Sequence, residues 1–375
     1  MAGDDDRRFM ARALELSRRH LGLTGTNPSV GCVVVRDGGI VGEAVTAPGG
    51  RPHAETQALD NAREKARGAT VYVTLEPCSH YGRTPPCANA IVEAGVSRAV
   101  IAVTDPDPRV SGRGLAILRD AGIVVETGLM EKEGRRALAG YLTRQTKGRP
   151  YVTLKLAVSA DGKLGRRGEE LAITGPEVKA EVHRLRAESD AILVGIGTAL
   201  SDDPELTVRI PGMQGRSPIR IVLDRGLQLP LDSKLVKTAR DIPVIVVASP
   251  QPGIQASDES LSSSGRAEGG SSADKREMLA EAGVEIMDTS GLDILLAVFA
   301  ARGISSLLVE GGAIVAKAFL DIGLVDRILL FRGTGTVGEG GLESPLTPSD
   351  MPAGFTLIRE DAFGGDRLFE YERDF

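Results

Sequence analysis

Short apolar runs alternate with amphipathic stretches along most of this 375-residue chain. Runs such as ATVYVTL, RAVIAVTD, YVTLKLAVS, AILVGI, IRIVLD and PVIVVAS have the length and β-branched content of strands. Between them lie DRRFMARALELSRRH, HAETQALDNAREKA, CANAIVEAG, LAILRDAG and PEVKAEVHRLRAES, which have helical spacing. Strand-type runs alternating with helix-type ones predict α/β architecture, with mixed sheets covered by helices on both faces. Two hairpins frame this pattern. VGCVVV and IVGEAV flank RDGG near the start, and GFTLIREDAFGGDRLFEYER closes the chain.

The length suits two domains better than one. MEKEGRRALAGYLTRQTKGRP reads as a single charged helix that runs into a Gly-Arg-Pro break. The boundary is therefore placed there, giving domains over residues 1–147 and 148–375. LDILLAVFAARG and AIVAKAFLDIG add helices to the second half, and SSLLVE and DRILLF add strands. The stretch 249–275, SPQPGIQASDESLSSSGRAEGGSSADK, has no apolar periodicity and reads as a flexible surface loop.

Composition narrows the function. A net charge of −6 and only 3% aromatic residues argue against a nucleic-acid polyanion as the main partner. No apolar run approaches a membrane span, and MAGDDDRRFM lacks the apolar core of a secretory signal. Three cysteines cannot all pair. A cytoplasmic protein is expected, in which a close cysteine pair binds metal or does chemistry.

Two of the three cysteines fall in EPCSHYGRTPPC, at Cys78 and Cys87. With His53 in PHAE they offer three zinc ligands, the number a catalytic zinc takes while keeping one position for water. Glu55, two residues past His53, can stand beside the metal and move protons. This His-x-Glu and Pro-Cys arrangement is that of zinc nucleobase deaminases. Pro85 and Pro86 prepare a helix whose first turn presents Cys87, and the positive end of that helix favours thiolate. The eight residues between the cysteines project His80 and Arg83 over the site, where Arg83 suits a phosphate. Cys32, inside an apolar strand, reads as core. His20 reads as a cation at a helix end, and His183 as an exposed residue of a charged helix.

At the second sheet, LLVEGGAIVAKAF reads as strand, Gly311-Gly312, then helix, a backbone suited to a cofactor phosphate. GTGTVG (333–338) fits a dinucleotide-binding spacing, but no helix follows it, so it reads as a turn-rich loop.

TNPSVGCVVV, PHAETQAL, VTLEPCSHYGRTPPC, AGVSRAVIAVTDPDP and GRGLAILRDAGI closely resemble the riboflavin-biosynthesis deaminase–reductases. LKLAVSADGKL, ITGPEVKAEVHRLRAESDAILVGIGTALSDDPELTVR and LLVEGG extend the resemblance through the second half. It implies a cytidine-deaminase-like α/β/α N-terminal domain and a dihydrofolate-reductase-like α/β C-terminal domain. The first would deaminate a small phosphorylated diaminopyrimidinone with one Zn2+ per chain. The second would reduce its ribosyl group to ribityl with NADPH. Carried over residue by residue, His53, Cys78 and Cys87 bind zinc and Glu55 shuttles protons. Asn27 contacts the ribose, with His80 and Arg83 towards the phosphate. Lys155 and Glu310 serve reduction, while Arg186, Leu206 and Arg209 contact substrate. Ala157, Thr198, Asp202, Gly311 and Gly312 contact cofactor. A homo-oligomer, with a dimer favoured, is expected. The chain departs from the family at Thr46, Gln57, Asp107 and Ala172, where histidine, histidine, asparagine and tryptophan are common.

Two other readings compete. One is a deaminase with a weak or non-catalytic reductase-like domain. The other is an RNA-editing deaminase, against which the acidic charge and the few aromatics count.

Overall fold

The structure is a computed structural model that describes residues 3–81, 85–107, 110–166, 169, 171–249 and 272–373. The chain divides into two compact units. One contains 1–151 and Phe299–Ser305, the other 152–298 and 306–375.

The first unit runs α1 (Asp4–Ser17), β1 (Gly31–Arg36), β2 (Gly39–Val45), α2 (Ala54–Ala62), β3 (Thr70–Leu75), α3 (Cys87–Glu93), β4 (Arg98–Val103), α4 (Arg113–Asp120), β5 (Val124–Thr127), α5 (Glu131–Ala137) and α6 (Ala139–Lys147). Its sheet has the order β2-β1-β3-β4-β5. β1 is antiparallel to β2 and β3, while β3, β4 and β5 run parallel. The β1–β2 hairpin turns on Asp37 and Gly38, at φ 51° and 74°, the positive pair that matches the twist of its strands.

Strand parity puts helices on both faces. A Cβ on Gly31 would lie 1.9 Å from the Ala13 carbonyl of α1. One on Gly42 would lie 2.2 Å from the Ala58 carbonyl of α2. Gly42 pairs with Val34, which has the opposite parity to Gly31, so α1 and α2 cover opposite faces. Glycine is required at both positions because helix and strand backbones touch there. The stretch read as one charged helix is two, α5 and α6, broken at Leu138, whose φ of −103° and ψ of 10° leave the helical region. Leu138 at the break is buried in the core of the first unit.

The second unit runs β6 (Tyr151–Val158), α7 (Pro176–Ala187), β7 (Ala191–Gly195), α8 (Ile196–Asp202), β8 (Ile219–Leu223), α9 (Lys234–Lys237), β9 (Val244–Ala248), α10 (Ser272–Glu281), β10 (Glu285–Asp288), α11 (Leu292–Ala301), β11 (Ser306–Val309), α12 (Ala313–Asp321), β12 (Arg327–Arg332), β13 (Phe355–Phe363) and β14 (Asp366–Arg373). Tyr151 and the end of α11 cluster with the first unit. The sheet order is β10-β9-β8-β7-β11-β6-β12-β14-β13. β10, β9, β8, β7 and β11 are successively parallel, β6 is parallel to β12, and the C-terminal hairpin adds antiparallel β14 and β13. β7 and β9 are buried along their whole length, as strands covered on both faces require.

Most of the stretch read as a flexible loop, 249–275, lies outside the described residues, but its last four residues belong to α10. No helix follows 333–338, so that glycine pattern is not a dinucleotide fingerprint here. Among the described residues no helix is long and apolar enough to cross a membrane.

Candidate active sites

The first site grows from three chain segments that meet at the open end of the first sheet. His53 is the N-cap of α2, so its side chain leaves the helix start while Glu55 sits in the first turn. Cys78 follows β3 by three residues. Cys87 is the first residue of α3, with Pro86 as N-cap. His53 Nδ1 lies 3.2 Å from Cys87 Sγ and 3.7 Å from Cys78 Sγ. The three ligand atoms all fall within 4.8 Å of one another, the one such group among the described residues. Tetrahedral zinc with bonds of ~2.3 Å to sulfur and ~2.0 Å to nitrogen needs ligand separations of about 3.5–3.8 Å, so this donor set fits the metal.

Electrostatics agree on charge at the site but reassign it. The Cys87 backbone N–H donates to Cys78 Sγ at 3.2 Å. Hydrogen bonds from the Cys87 thiol, from His53 and from this N–H draw the Cys78 thiol well below its ordinary value. The Cys87 thiol is pushed up by Cys78 and by burial. The helix start thus directs its first N–H at the Cys78 sulfur, which favours thiolate there. His53 is raised by its bond to Cys78. Glu55 is buried, and desolvation pushes its carboxyl up, offset in part by His53. A carboxyl whose proton affinity is raised in this way suits a proton carrier.

A cavity of about 330 Å³ opens over these groups. Asn27, His53, Glu55, Cys78 and His80 line it. Arg83 lies outside the described residues. Cys32 is core, as read. His20 ends the short helical turn that follows α1, and its Nδ1 contacts the Thr46 carbonyl at 2.7 Å. Thr46 itself is buried and accepts the Val30 N–H at 3.0 Å. Gln57 Nε2 donates to the carbonyls of Val45 and Pro52, both at 2.9 Å, and so braces the turn that carries His53.

Sequence reasoning gave Glu76 no role. Its buried carboxylate accepts backbone N–H groups from Asp105, Gly112, Gly114 and Leu115, at 3.1–3.4 Å. From just past the end of β3 it thus caps α4, and it holds the Asp105 backbone, so that Asp105 lines the cavity wall with Asp107. Tyr141, on α6, donates to Asp105 at 3.0 Å. The signal available was Gly114, where a Cβ would meet the Pro77 carbonyl at 2.1 Å.

The second site lies at the C-terminal ends of parallel strands, where such sheets bind ligands. Glu310 follows β11 and its N–H bonds the Leu193 carbonyl of β7 at 3.0 Å. Arg186, on α7, grips the Glu310 carboxylate with Nε and Nη2, at 2.7 and 3.0 Å. Lys155 stands on β6. Burial lowers its ammonium, while the Glu310 carboxylate raises it. Glu310 is pushed up by burial, yet Arg186 and Lys155 win and hold its carboxyl below the ordinary range.

Leu206 is buried with φ of 55°, a left-handed conformation that strains a branched residue by roughly 1–3 kcal/mol. Arg209 is exposed and pairs with Glu205 at 3.1 Å. His183, expected in solvent, is half-buried and contacts the Thr207 carbonyl at 3.1 Å. The sequence hides this, because the partner lies 24 residues on.

The expected cofactor residues fall into two groups. Thr198 belongs to α8 after β7, and Gly311-Gly312 joins β11 to α12. A Cβ on Gly312 would have Thr198 Oγ1 as its nearest atom, at 3.4 Å, so these two positions adjoin. A Cβ on Gly311 would strike Val315 at 2.6 Å. Asp202 is exposed at the end of α8, and Ala157 lies on β6. A glycine backbone open to close approach at a helix start fits a cofactor phosphate.

Residues 4–103 match the cytidine and deoxycytidylate deaminase zinc-binding region, and residues 150–366 match the RibD C-terminal domain. The chain is 40% identical over 343 residues to the riboflavin biosynthesis protein RibD of Aquifex aeolicus, covering 91% of this chain and 90% of that protein. It is 41% identical over 358 residues to that of Escherichia coli, covering 89% of each. Among solved structures, Acinetobacter baumannii RibD aligns with a TM-score of 0.84 at 34% identity, covering 99% of both chains. A diaminohydroxyphosphoribosylaminopyrimidine deaminase/5-amino-6-(5-phosphoribosylamino)uracil reductase of Thermotoga maritima aligns with a TM-score of 0.83 at 33% identity, covering 98% of this chain and 99% of that one.

Proposed function

Since the chain belongs to the RibD family, the bifunctional deaminase–reductases of riboflavin biosynthesis, we propose that residues 1–147 carry its deaminase and residues 148–375 its reductase. The proposed substrate is 2,5-diamino-6-(5-phosphoribosylamino)pyrimidin-4(3H)-one, and NADPH then reduces the ribosyl side chain of the deaminated product. The observation that carries this reading is the His53, Cys78 and Cys87 cluster with buried Glu55 at its side, under one cavity.

His53, Cys78 and Cys87 would hold one zinc, which supplies a water acidified to about pKa 7. Glu55 takes a proton from the attacking water on its carboxylate. It returns that proton to the ring nitrogen and then serves the amine that leaves as ammonia. Asn27 and His80 orient the ribose phosphate from the cavity wall.

In the reductase, Thr198, Asp202, Ala157 and the Gly311-Gly312 turn would hold NADPH, which supplies the hydride. Reduction at C1′ with opening of the C1′–O4′ bond would leave O4′ in need of a proton. Lys155, with its ammonium pulled down by burial, donates that proton. Glu310 faces the substrate beside it, and Arg186, Leu206 and Arg209 hold the phosphorylated sugar. A cytoplasmic homodimer belongs to the same proposal, and light scattering of the purified protein tests its assembly.

Mass spectrometry of the product decides the reading. The diaminopyrimidinone supplied alone should lose its exocyclic amine and stop at the ribosyl compound. Adding NADPH should yield the ribityl compound. Deamination without reduction would leave a deaminase carrying a reductase-like binding domain.

A further inference from the structure

His183 reaches both ends of one short step in the turn that follows α8. Its Nδ1 lies 3.1 Å from the Thr207 carbonyl and 3.3 Å from the Arg209 backbone N. Protonated at Nδ1, the ring donates to Thr207. Protonated at Nε2, it accepts from the Arg209 N–H at Nδ1. Either neutral tautomer ties the imidazole to the turn.

The turn needs such ties. Leu206 sits at φ 55°, which a branched residue rarely adopts unless its surroundings impose it. Four side chains do so. Arg220, fully buried, donates to the Glu205 carbonyl at 3.2 Å, and Ser217 Oγ accepts the Val208 N–H at 3.0 Å. Arg186 Nη1 donates to the same Thr207 carbonyl as His183, at 3.3 Å, while its other nitrogens hold Glu310. His183 is therefore wired through one carbonyl to the Arg186–Glu310 pair. Burial and the neighbouring charges of Arg186 and Arg209 lower its pKa, against weaker opposing effects of the Thr207 hydrogen bond and Glu310, which favours the neutral ring.

We propose that His183 is a positioning residue of the reductase, locking the Leu206–Arg209 turn so that Leu206 and Arg209 meet the phosphorylated sugar in register with Glu310. This rests on Leu206 and Arg209 as substrate contacts in the reading above. Removing the ring leaves the turn less defined, and its effect falls on substrate binding rather than on hydride transfer.

Steady-state reduction of 5-amino-6-(5-phosphoribosylamino)uracil by the full chain, wild type, His183→Leu and His183→Asn, tests this. Loss of one such hydrogen bond should raise KM for the uracil substrate roughly tenfold in His183→Leu, with kcat within about twofold. NADPH affinity and ammonia release should match the wild type. His183→Asn, whose amide offers both a donor and an acceptor near the Nδ1 position, should restore KM to within about threefold. An unchanged KM in His183→Leu, a parallel fall in kcat and NADPH affinity, or no rescue by asparagine would each overturn the positioning role. A wild type that deaminates but never reduces would overturn the reductase reading itself, and this inference with it.

Discussion

Arg186 and Glu310, 124 residues apart, form a two-pronged ion pair whose side chains are 12% and 8% exposed. Such a pair holds Glu310 ionised and in one rotamer beside Lys155. Replacing Glu310 with Gln leaves a buried guanidinium without its counter-charge. Stability of the second unit should fall by about 3 kcal/mol or more in urea unfolding. Reduction should fail while ammonia release persists, because the deaminase residues lie in the other unit. A Glu310→Gln protein that reduces normally would remove Glu310 from the chemistry.

Cys87 sits within ligand distance of both His53 and Cys78. Serine offers a harder, less readily ionised donor, so Cys87→Ser should lose most bound zinc. Metal analysis of the purified protein should drop from one zinc per chain towards none. Full retention would mean that the metal has another ligand set.

Glu55→Gln keeps the shape of the side chain and cannot accept and return a proton. Zinc content should be unchanged. Deamination should fall by at least roughly 10²–10⁴-fold, the usual worth of a positioned acid–base group. The assay is ammonia release, and a near-normal rate would hand the proton transfers to another group.

Gly312 has no atom nearer than Thr198 Oγ1 to the place a Cβ would occupy, at 3.4 Å. Gly312→Val should therefore fold. Its branched side chain would then occupy the approach to the α12 helix start, and NADPH should bind at least about tenfold more weakly by titration. Unchanged affinity would leave Gly311-Gly312 as a tight turn only.

Asp6 accepts from Arg98 at 2.7 and 2.9 Å and from the Tyr72 hydroxyl at 2.6 Å. Arg98 chiefly, then Tyr72, lowers its carboxyl from 3.8 to about 2 against a smaller opposing effect of burial. A depressed carboxyl stabilises the fold above its unfolded value and loses that contribution as pH falls through its folded value. Asp6→Asn should thus be less stable than wild type at neutral pH, by about 1 kcal/mol given that both groups are partly exposed. The gap should close between about pH 4 and pH 2. A gap independent of pH over that range would assign the loss to packing.

Local signals carried the sequence far. Asp37-Gly38 between two apolar runs determined a hairpin, because only residues tolerant of positive φ make that turn. Alternating strand and helix periods determined two α/β sheets. Soft ligands beside helix-starting prolines, with a glutamate two residues past the histidine, pointed to a zinc deaminase centre. These features are written within a few residues of one another.

What remained illegible depended on distant chain segments meeting. Nothing near Glu76 indicates that its carboxylate will collect four backbone N–H groups up to 39 residues away. Arg186 could as well have faced solvent as Glu310, and His183 sits among charges on a helix that looks exposed from its sequence. Periodicity specifies which face of an element is buried, but not which neighbour covers it. That is decided by sheet order and by packing, which here bring β11, α7 and the turn after α8 to one place. The contact between the helix start and the Cys78 sulfur follows the same logic. The helix start was visible in the prolines, but only the folded loop shows that its N–H points at Cys78.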